Sequence, residues 1–475
     1  MNTRNSELLG KYDVKKLLIK LSVPAMMGMM VNALYNLVDT LFVARGVNEL
    51  AIGALSYAFP IQMILMAIGL MIGIGSASVF SRAFGAKDHE KMVSVVNTAL
   101  RIDTISAIVL SIAGFVFLDT LLDFFGASAS NIGYAKDYLS IIFIGLTPLS
   151  LSMVLNNLTR AEGRVKIAMV SMMIGAGLNI ILDPIFIFDQ LQIFGVTIPL
   201  FGLGVQGAAI ATVISQVVAF TYIFKKAFSH ESALKISFDN FFKIDFVALK
   251  EIIVIGFPTF LRNSLGALLS ILIFKMIEYY AVGDPAIYVS IYGVINRITI
   301  FVFMPGFGIV QGLSPIVGFN FGAKQYKRIR DVVIFSTKIV VTYFALGFVF
   351  VQIFAKYIFQ TFSDTNDSFF IDYGSETFKI ISIGFILVGF QIIVGALYQA
   401  LGYPIRALLI SVSRQFLIFI PVAFVLSYFM GLQGIWYTFA VSDILAGLLG
   451  VGFLIYEMIV LNKLIRNEKS SSILE

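Results

Sequence analysis

The chain has 475 residues, of which 59% are hydrophobic and 13% charged, and its formal net charge is +6. Soluble domains carry about 25% charged residues, and here the apolar residues come in blocks long enough to cross a bilayer as helices. The basic residues lie in short loops between these blocks, as orientation signals do, which argues against nucleic acid as a partner. Cys is absent and both His residues, His89 and His230, fall in basic loops. Disulfides, thiol catalysis and a Cys- or His-ligated metal inside the membrane are therefore excluded.

In chain order, the sequence predicts twelve membrane-spanning helices between a polar N-terminal segment, 1–16, and a polar tail, 461–475. The predicted spans cover residues 17–43, 54–80, 93–118, 134–156, 166–188, 204–224, 251–280, 287–312, 331–355, 375–398, 407–428 and 434–460. Most of the 34 Lys and Arg residues fall in one alternate set of loops, which includes both termini. The positive-inside rule then predicts a multi-pass protein of the cytoplasmic (inner) membrane with both termini in the cytoplasm.

Short motifs of the first half recur in the second half at a nearly constant spacing, with Gly75 and Gly312 in register. The pairs are Ser22-Val-Pro24 with Gly256-Phe-Pro258, Phe84-Gly-Ala-Lys87 with Phe321-Gly-Ala-Lys324, Ala161-Glu-Gly163 with Ala400-Leu-Gly402, and Gly204-Val-Gln-Gly207 with Gly431-Leu-Gln-Gly434. The repeat predicts an all-α membrane protein whose twelve transmembrane helices form two homologous six-helix bundles around a central cleft. The predicted division is an N-terminal lobe, 1–224, a cytoplasmic linker, 225–250, and a C-terminal lobe, 251–475. Two such halves are typical of secondary transporters, whose sites lie near the membrane midplane.

Polar side chains share one face of span one and one face of span five. Asn32, Asn36 and Asp39 are spaced four and three apart in span one, and Asn179 and Asp183 are four apart in span five. A carboxylate near the bilayer core costs at least about 2.5–3.5 kcal/mol, so each acid is expected to face protein or water and to be functional.

Two functional interpretations of these acids remain open. Carboxylates, an amide carbonyl and the Thr212 hydroxyl of span six are hard oxygen ligands that would suit Na⁺. Alternatively, two close carboxylates repel each other's charge, so that one of them would hold a proton near neutral pH. Both interpretations need Asp39 and Asp183 to lie close together. The structural alternative is that each acid only hydrogen-bonds a neighbouring helix.

The C-terminal half carries a different set of charges. Arg414 and Asp443 lie on the neighbouring spans eleven and twelve and are predicted to pair and hold these helices together. Arg262 and Arg297 have no evident local partner. They would bind anionic groups or pair with acids elsewhere in the chain.

Together, these motifs resemble the multidrug and toxic compound extrusion (MATE) family, and most closely its prokaryotic DNA-damage-inducible-protein-F-like branch. The resemblance covers essentially the whole chain and is specific through the order and spacing of its motifs. It is carried by the two homologous halves, Pro24 with Asp39 in span one, Phe84-Gly-Ala-Lys87 after span two, Asn179-x-x-x-Asp183-Pro184 in span five, and Gly204-Val-Gln-Gly-Ala-Ala-Ile-Ala-Thr212 in span six.

The resemblance implies a monomeric secondary active antiporter that exports organic cations and amphipathic drugs in exchange for H⁺ or Na⁺, without a cofactor. The implied coupling-cation residues, and the only implied Na⁺ ligands, are Asp39, Asn179, Asp183 and Thr212. Tyr35 and Asn157 match lining positions of the family's substrate cavity, and Pro24 matches the proline that bends the first helix. Asn32 and Asn36, which share the face of Asp39, are expected to line the same cavity. Some other branches carry acids in spans seven and ten, where this chain has Arg262, Asn263 and Gln391, so no ion site is expected in the C-terminal lobe.

Two other classes of function are alternatives to export. A flippase for a lipid-linked saccharide or other anionic lipid is the main alternative. Arg262, Arg297 and Arg414 favour it, whereas Asp39 with Asp183 favours the antiporter. An integral-membrane enzyme would need a nucleophile or a metal cluster, and an Asp39–Asp183 dyad lies in no motif typical of one. The sequence therefore predicts a protein that is not an enzyme.

Overall fold

The computed structural model describes residues 3–47, 49–124, 132–193, 196–237, 244–363 and 367–474, and helices make up most of them. The helices are α1 (Thr3–Lys11), α2 (Val14–Gly46), α3 (Glu49–Ala86), α4 (His89–Val116), α5 (Leu118–Phe124), α6 (Ile132–Ala161), α7 (Val165–Ile187), α8 (Gly204–Ala227), α9 (Phe246–Tyr280), α10 (Pro285–Gly322), α11 (Tyr326–Phe362), α12 (Ser368–Ser382), α13 (Phe385–Leu401), α14 (Pro404–Val412), α15 (Phe419–Met430) and α16 (Leu432–Leu474). A π-helical segment, Ser413–Ile418, joins α14 to α15. An antiparallel hairpin of β1 (Gln190–Ile193) and β2 (Val196–Pro199), which the sequence did not predict, connects α7 to α8.

The described helices account for the twelve predicted spans. Eleven are long and apolar enough to cross a membrane, and α12 with α13, which meet at a bend of 46°, count as the twelfth. The bend lies at Gly384, where an added Cβ would overlap the Cβ of Asp443 on α16. The break therefore coincides with a close approach of α16, and the fold is the predicted all-α membrane architecture.

The repeated Phe-Gly-Ala-Lys motifs adopt the same backbone in both halves. Lys87 and Lys324 are both left-handed, with φ of 60° and 57°, a conformation that few residues other than glycine adopt. The Lys87 N–H donates to the Phe84 carbonyl at 3.2 Å, and the Lys324 N–H donates to the Phe321 carbonyl at 3.1 Å. The same uncommon turn thus ends α3 and α10, as expected for two homologous halves.

Two glycines in register make equivalent close helix crossings. A Cβ at Gly75 on α3 would overlap the carbonyl oxygen of Ile252, in the first part of α9. A Cβ at Gly312 on α10 would overlap the Ser22 side chain, in the first part of α2. A small residue is needed at each crossing because the backbones approach closely.

The chain forms two compact units, and the longer helices α2 and α9, together with the short α1, are divided between them. Unit 1 is Met1–Glu7 with Met27–Phe260, and unit 2 is Leu8–Met26 with Leu261–Glu475. Helix α2 passes from unit 2 to unit 1 after Met26, and α9 passes from unit 1 to unit 2 after Phe260. In both helices the boundary between the units lies two residues after a proline of the repeat, Pro24 in α2 and Pro258 in α9. The predicted domain limits, with a linker at 225–250, stay a prediction.

Candidate functional site

Unit 1 brings together the two acids that the sequence singled out. The carboxyl groups of Asp39 on α2 and Asp183 on α7 lie close enough to each other to interact directly. Two ionised carboxylates so close together would repel each other, so a proton on one of them or a cation between them would stabilise the pair. Both functional interpretations of the acids required this proximity.

Asn179 connects Asp183 to the neighbouring helix. Its Nδ2 donates to Asp183 Oδ1 at 3.0 Å and to Thr212 Oγ1 at 3.3 Å. The spacing of four residues puts Asn179 and Asp183 on one face of α7, and α8 presents Thr212 to that face. The hydroxyl of Tyr35 on α2 is hydrogen-bonded to Thr212 in turn. Three helices therefore build one buried polar group.

Three acceptor oxygens of this group lack a hydrogen-bond partner within the residues that the structure describes. They are Asp39 Oδ1, Asn179 Oδ1 and Asp183 Oδ2. A buried acceptor left unsatisfied costs about 1–3 kcal/mol. Unsatisfied hard oxygens suit a proton or a small cation such as Na⁺, so these three oxygens could bind either one.

Sequence reasoning missed two residues beside this group. Tyr138 of α6 is buried and lies close enough to Asp39 and Asp183 for their charges to act on it. Its hydroxyl is hydrogen-bonded to Gln62 of α3. Gln62 was recognisable as a polar side chain inside an apolar span. Tyr138 was not, because a tyrosine near the end of a membrane helix is usually an interfacial anchor.

The predicted cavity-lining residues do not all belong to this group. Asn157 makes different contacts, since its Nδ2 donates to the Met153 carbonyl at 2.9 Å and its Oδ1 accepts from Arg160 Nη2 at 3.2 Å. Asn32 is partly buried on α2. The side chain of Asn36 lies outside the described residues.

Pro24 is buried within α2, and the helix continues through it from Val14 to Gly46. Proline has no N–H, so α2 lacks the hydrogen bond that position 24 would otherwise give to the Lys20 carbonyl. The bend predicted at this point stays a prediction.

A further buried acid of unit 1, Asp103, was not singled out from the sequence. Asp103 on α4 is buried and accepts a hydrogen bond from Ser150 Oγ at 2.7 Å, while its Oδ2 has no partner in the described part of the chain. A Cβ at Gly69 would overlap Ser150, so Gly69 allows α3 to pack against this pair. The criterion that selected Asp39, an acid inside an apolar span, also applies to Asp103.

In unit 2, the predicted pair of Arg414 and Asp443 forms, with Arg414 Nε donating to Asp443 Oδ1. Arg414 lies on the π-helical segment. Arg262 has no hydrogen-bond or ion-pair partner among the described residues, and the charge of Arg414 acts on it. No cluster of three metal-ligating residues occurs in the described ranges.

Comparison with known proteins gives matches along the whole chain. The MatE family model matches residues 24–185 and 258–425, once in each half. Multidrug export protein MepA of Staphylococcus haemolyticus strain JCSC1435 is 28% identical over 447 residues, covering 94% of both chains. MepA of Staphylococcus aureus strain MSSA476 is 26% identical over 438 residues, covering 92% of this chain and 93% of the relative.

Solved structures agree with this fold. A multidrug resistance MATE family transporter in an outward-facing conformation matches with a TM-score of 0.88 at 24% identity, over 97% of this chain and 99% of the other. A MATE crystal structure in complex with MaD3S matches with a TM-score of 0.87 at 25% identity, over the same shares. These relatives are transporters and not enzymes, and they do not favour the lipid-flippase alternative.

Proposed function

The chain belongs to the MATE family of multidrug efflux transporters, and we propose that it is an antiporter of the cytoplasmic membrane. It exports organic cations and amphipathic drugs in exchange for H⁺ or Na⁺, and it works as a monomer with both termini in the cytoplasm. The observation that carries this proposal is the proximity of Asp39 and Asp183 in unit 1, where one oxygen of each acid has no hydrogen-bond partner among the described residues.

The proposed coupling-cation site consists of Asp39, Asn179, Asp183 and Thr212. A proton on one of the two acids would remove the repulsion between them, which supports H⁺ as an occupant. Na⁺ would be attracted most strongly with both acids ionised, because its attraction increases with their negative charge. The two cations would therefore compete for one site.

Loss of the bound cation would leave two carboxylates facing each other. Their repulsion would favour a movement of α2 relative to α7 within unit 1. Helix α2 is easiest to bend near Pro24, where one backbone hydrogen bond is missing. An organic cation would be attracted by the same two charges, along a wall that we assign to Asn32, Tyr35 and Asn36. Asn157 would line a separate part of the cavity near Arg160.

The test is efflux of a fluorescent organic cation from proteoliposomes, with Na⁺ and pH gradients imposed separately. Asp39→Asn and Asp183→Asn should each lower gradient-driven efflux by about 10-fold or more, which corresponds to ~1.4 kcal/mol. Asp119→Asn is the matched control, because Asp119 is an exposed acid of the same unit that pairs with Lys136. Unchanged efflux and ion dependence in both site variants, at normal expression, would refute the proposal.

A further inference from the structure

Arg406, at the start of α14 in unit 2, lies among three tyrosine rings. Its guanidinium carbon is 5.5 Å from the ring centroid of Tyr398, 4.9 Å from that of Tyr403 and 5.0 Å from that of Tyr456. The rings come from α13, from the turn before α14, and from α16. Several aromatic faces around one positive charge are the arrangement by which proteins recognise ammonium ligands.

A buried carboxylate completes this cage. The Glu457 side chain is 2% exposed, and its Oε2 accepts from Arg406 Nη1 at 3.1 Å. Arg406 Nη2 also donates to the Tyr456 hydroxyl at 3.4 Å. A carboxylate in such surroundings is costly without a positive partner. The cage therefore combines aromatic faces with one compensating negative charge, which suits a monovalent organic cation.

Two of the rings are held by contacts that do not involve Arg406. The Tyr398 hydroxyl donates to the Phe453 carbonyl at 3.3 Å, and the Tyr398 ring packs edge-on against Phe453. Tyr403 follows Gly402, whose left-handed φ of 79° ends α13, and its ring packs against Phe321. These rings should keep their positions when the guanidinium is absent.

We propose that Tyr398, Tyr403, Tyr456 and Glu457 form a binding site for monovalent organic cations of the ammonium or guanidinium class. Arg406 is the internal occupant of this site. Its side chain is 35% exposed, so it can leave by rotation about its own bonds without movement of a helix. A role for this site in drug export rests on the proposed function, whereas cation binding to the cage does not.

The tether of Arg406 sets the concentration at which an external cation competes. A group on a short flexible link acts at a millimolar effective concentration. In the unmodified protein, a quaternary ammonium ion should therefore displace the Arg406 guanidinium only at millimolar or higher concentrations. Removal of the guanidinium should make the same cage available to a more dilute ligand. If Arg406 only neutralises Glu457, no such gain should occur.

The experiment uses the full-length protein in lipid nanodiscs with Arg406→Ala. The probe is tetramethylammonium chloride, with sodium chloride at equal ionic strength and neopentyl alcohol as an uncharged probe of the same shape. Binding is followed by calorimetry and by the midpoint of thermal unfolding. Tetramethylammonium should stabilise the variant saturably, and half of the effect should be reached at about 10-fold lower concentration than with the unmodified protein. Neopentyl alcohol should have no such effect.

Second-site changes identify where the probe binds. In the Arg406→Ala background, Tyr403→Leu and Glu457→Gln should each weaken binding by about 10-fold. Tyr428→Leu is the control, because Tyr428 is 79% exposed on α15 of the same unit. Arg406→Gln, which keeps the packing of the side-chain stem, is measured in the same way in case Arg406→Ala does not fold. The proposal is overturned if neither Arg406 variant binds the probe saturably, or if the cage changes have no more effect than the control. Dye efflux through the Asp39–Asp183 site is measured separately, so the two proposals can fail independently.

Discussion

Glu162, between α6 and α7, should make the stability of unit 1 depend on Arg164 and on pH. Its carboxylate is fully buried and accepts from Arg164 Nη1 at 2.9 Å, from Ser232 Oγ at 2.8 Å and from the Ala233 N–H at 2.8 Å. Arg164 Nη1 also donates to the Lys226 carbonyl at 2.9 Å. These bonds anchor the start of the segment that follows α8. Arg164→Met would leave a buried carboxylate without its positive partner, which costs about 3–5 kcal/mol.

The pH dependence of this loss has a definite sign. Burial raises the pKa of Glu162 above its ordinary value, although Arg164 and the hydrogen bonds from Ser232 and Ala233 act in the opposite direction. The folded state then binds the proton more readily than the unfolded state, so the contribution of Glu162 to stability falls as pH rises above about 4.5. In Arg164→Met the pKa of Glu162 should rise further, because the positive charge that lowers it is lost. The stability loss of Arg164→Met should therefore be largest near pH 8 and shrink towards pH 5.

The assay is denaturant unfolding in mixed micelles at several pH values. Lys136→Met is the matched control, because Lys136 forms an exposed pair with Asp119 in the same unit and should cost less than about 1 kcal/mol. Adding Glu162→Gln to Arg164→Met should remove most of the pH dependence. The reasoning fails if Arg164→Met costs no more than Lys136→Met, or if its cost is the same at pH 5 and pH 8.

Four further variants and one control test the site and the helix crossings. Asn179→Leu removes two hydrogen bonds. It should lower gradient-driven dye efflux by about 10-fold or more, because a hydrogen bond to a charged group contributes about 1.5–3 kcal/mol. Asp103→Asn keeps an acceptor for Ser150 and should leave the ion dependence of efflux unchanged. Gly75→Ala and Gly312→Ala should each lower unfolding stability by about 1–3 kcal/mol through overpacking. Gly133→Ala is the control and should leave unfolding stability unchanged, because no atom lies within 4 Å of its added Cβ.

Much of the fold could be predicted from the sequence because its signals are local. Apolar blocks define the spans, and the repeated Phe-Gly-Ala-Lys motifs indicate equal turns at Lys87 and Lys324. The bend between α12 and α13 could not be predicted, because no proline marks it. It coincides with the packing of Asp443 against Gly384, which depends on two segments about 60 residues apart in the chain.

The candidate site was predictable where function requires an unusual residue. Asp39 and Asp183 stand out because acids are rare in apolar helices. Tyr138 could not be found in this way, because an aromatic residue is ordinary in a membrane helix. The cage around Arg406 was equally hidden, since its rings lie at positions 398, 403 and 456 and meet only when α13, α14 and α16 pack.

The two halves repeat their scaffold but differ in their buried charges. The repeat spacing between Pro24 and Pro258 places Ile273, a fully apolar and buried residue, where a second Asp39 would stand. In unit 2 the buried Asp443 is instead paired with Arg414, so this acid already has a positive partner. An acid held in this way is poorly suited to bind and release a coupling cation, because the guanidinium competes for the same oxygens. The Asp39–Asp183 pair has no such partner among the described residues, and exchange of the coupling cation, H⁺ or Na⁺, is therefore expected in unit 1 alone.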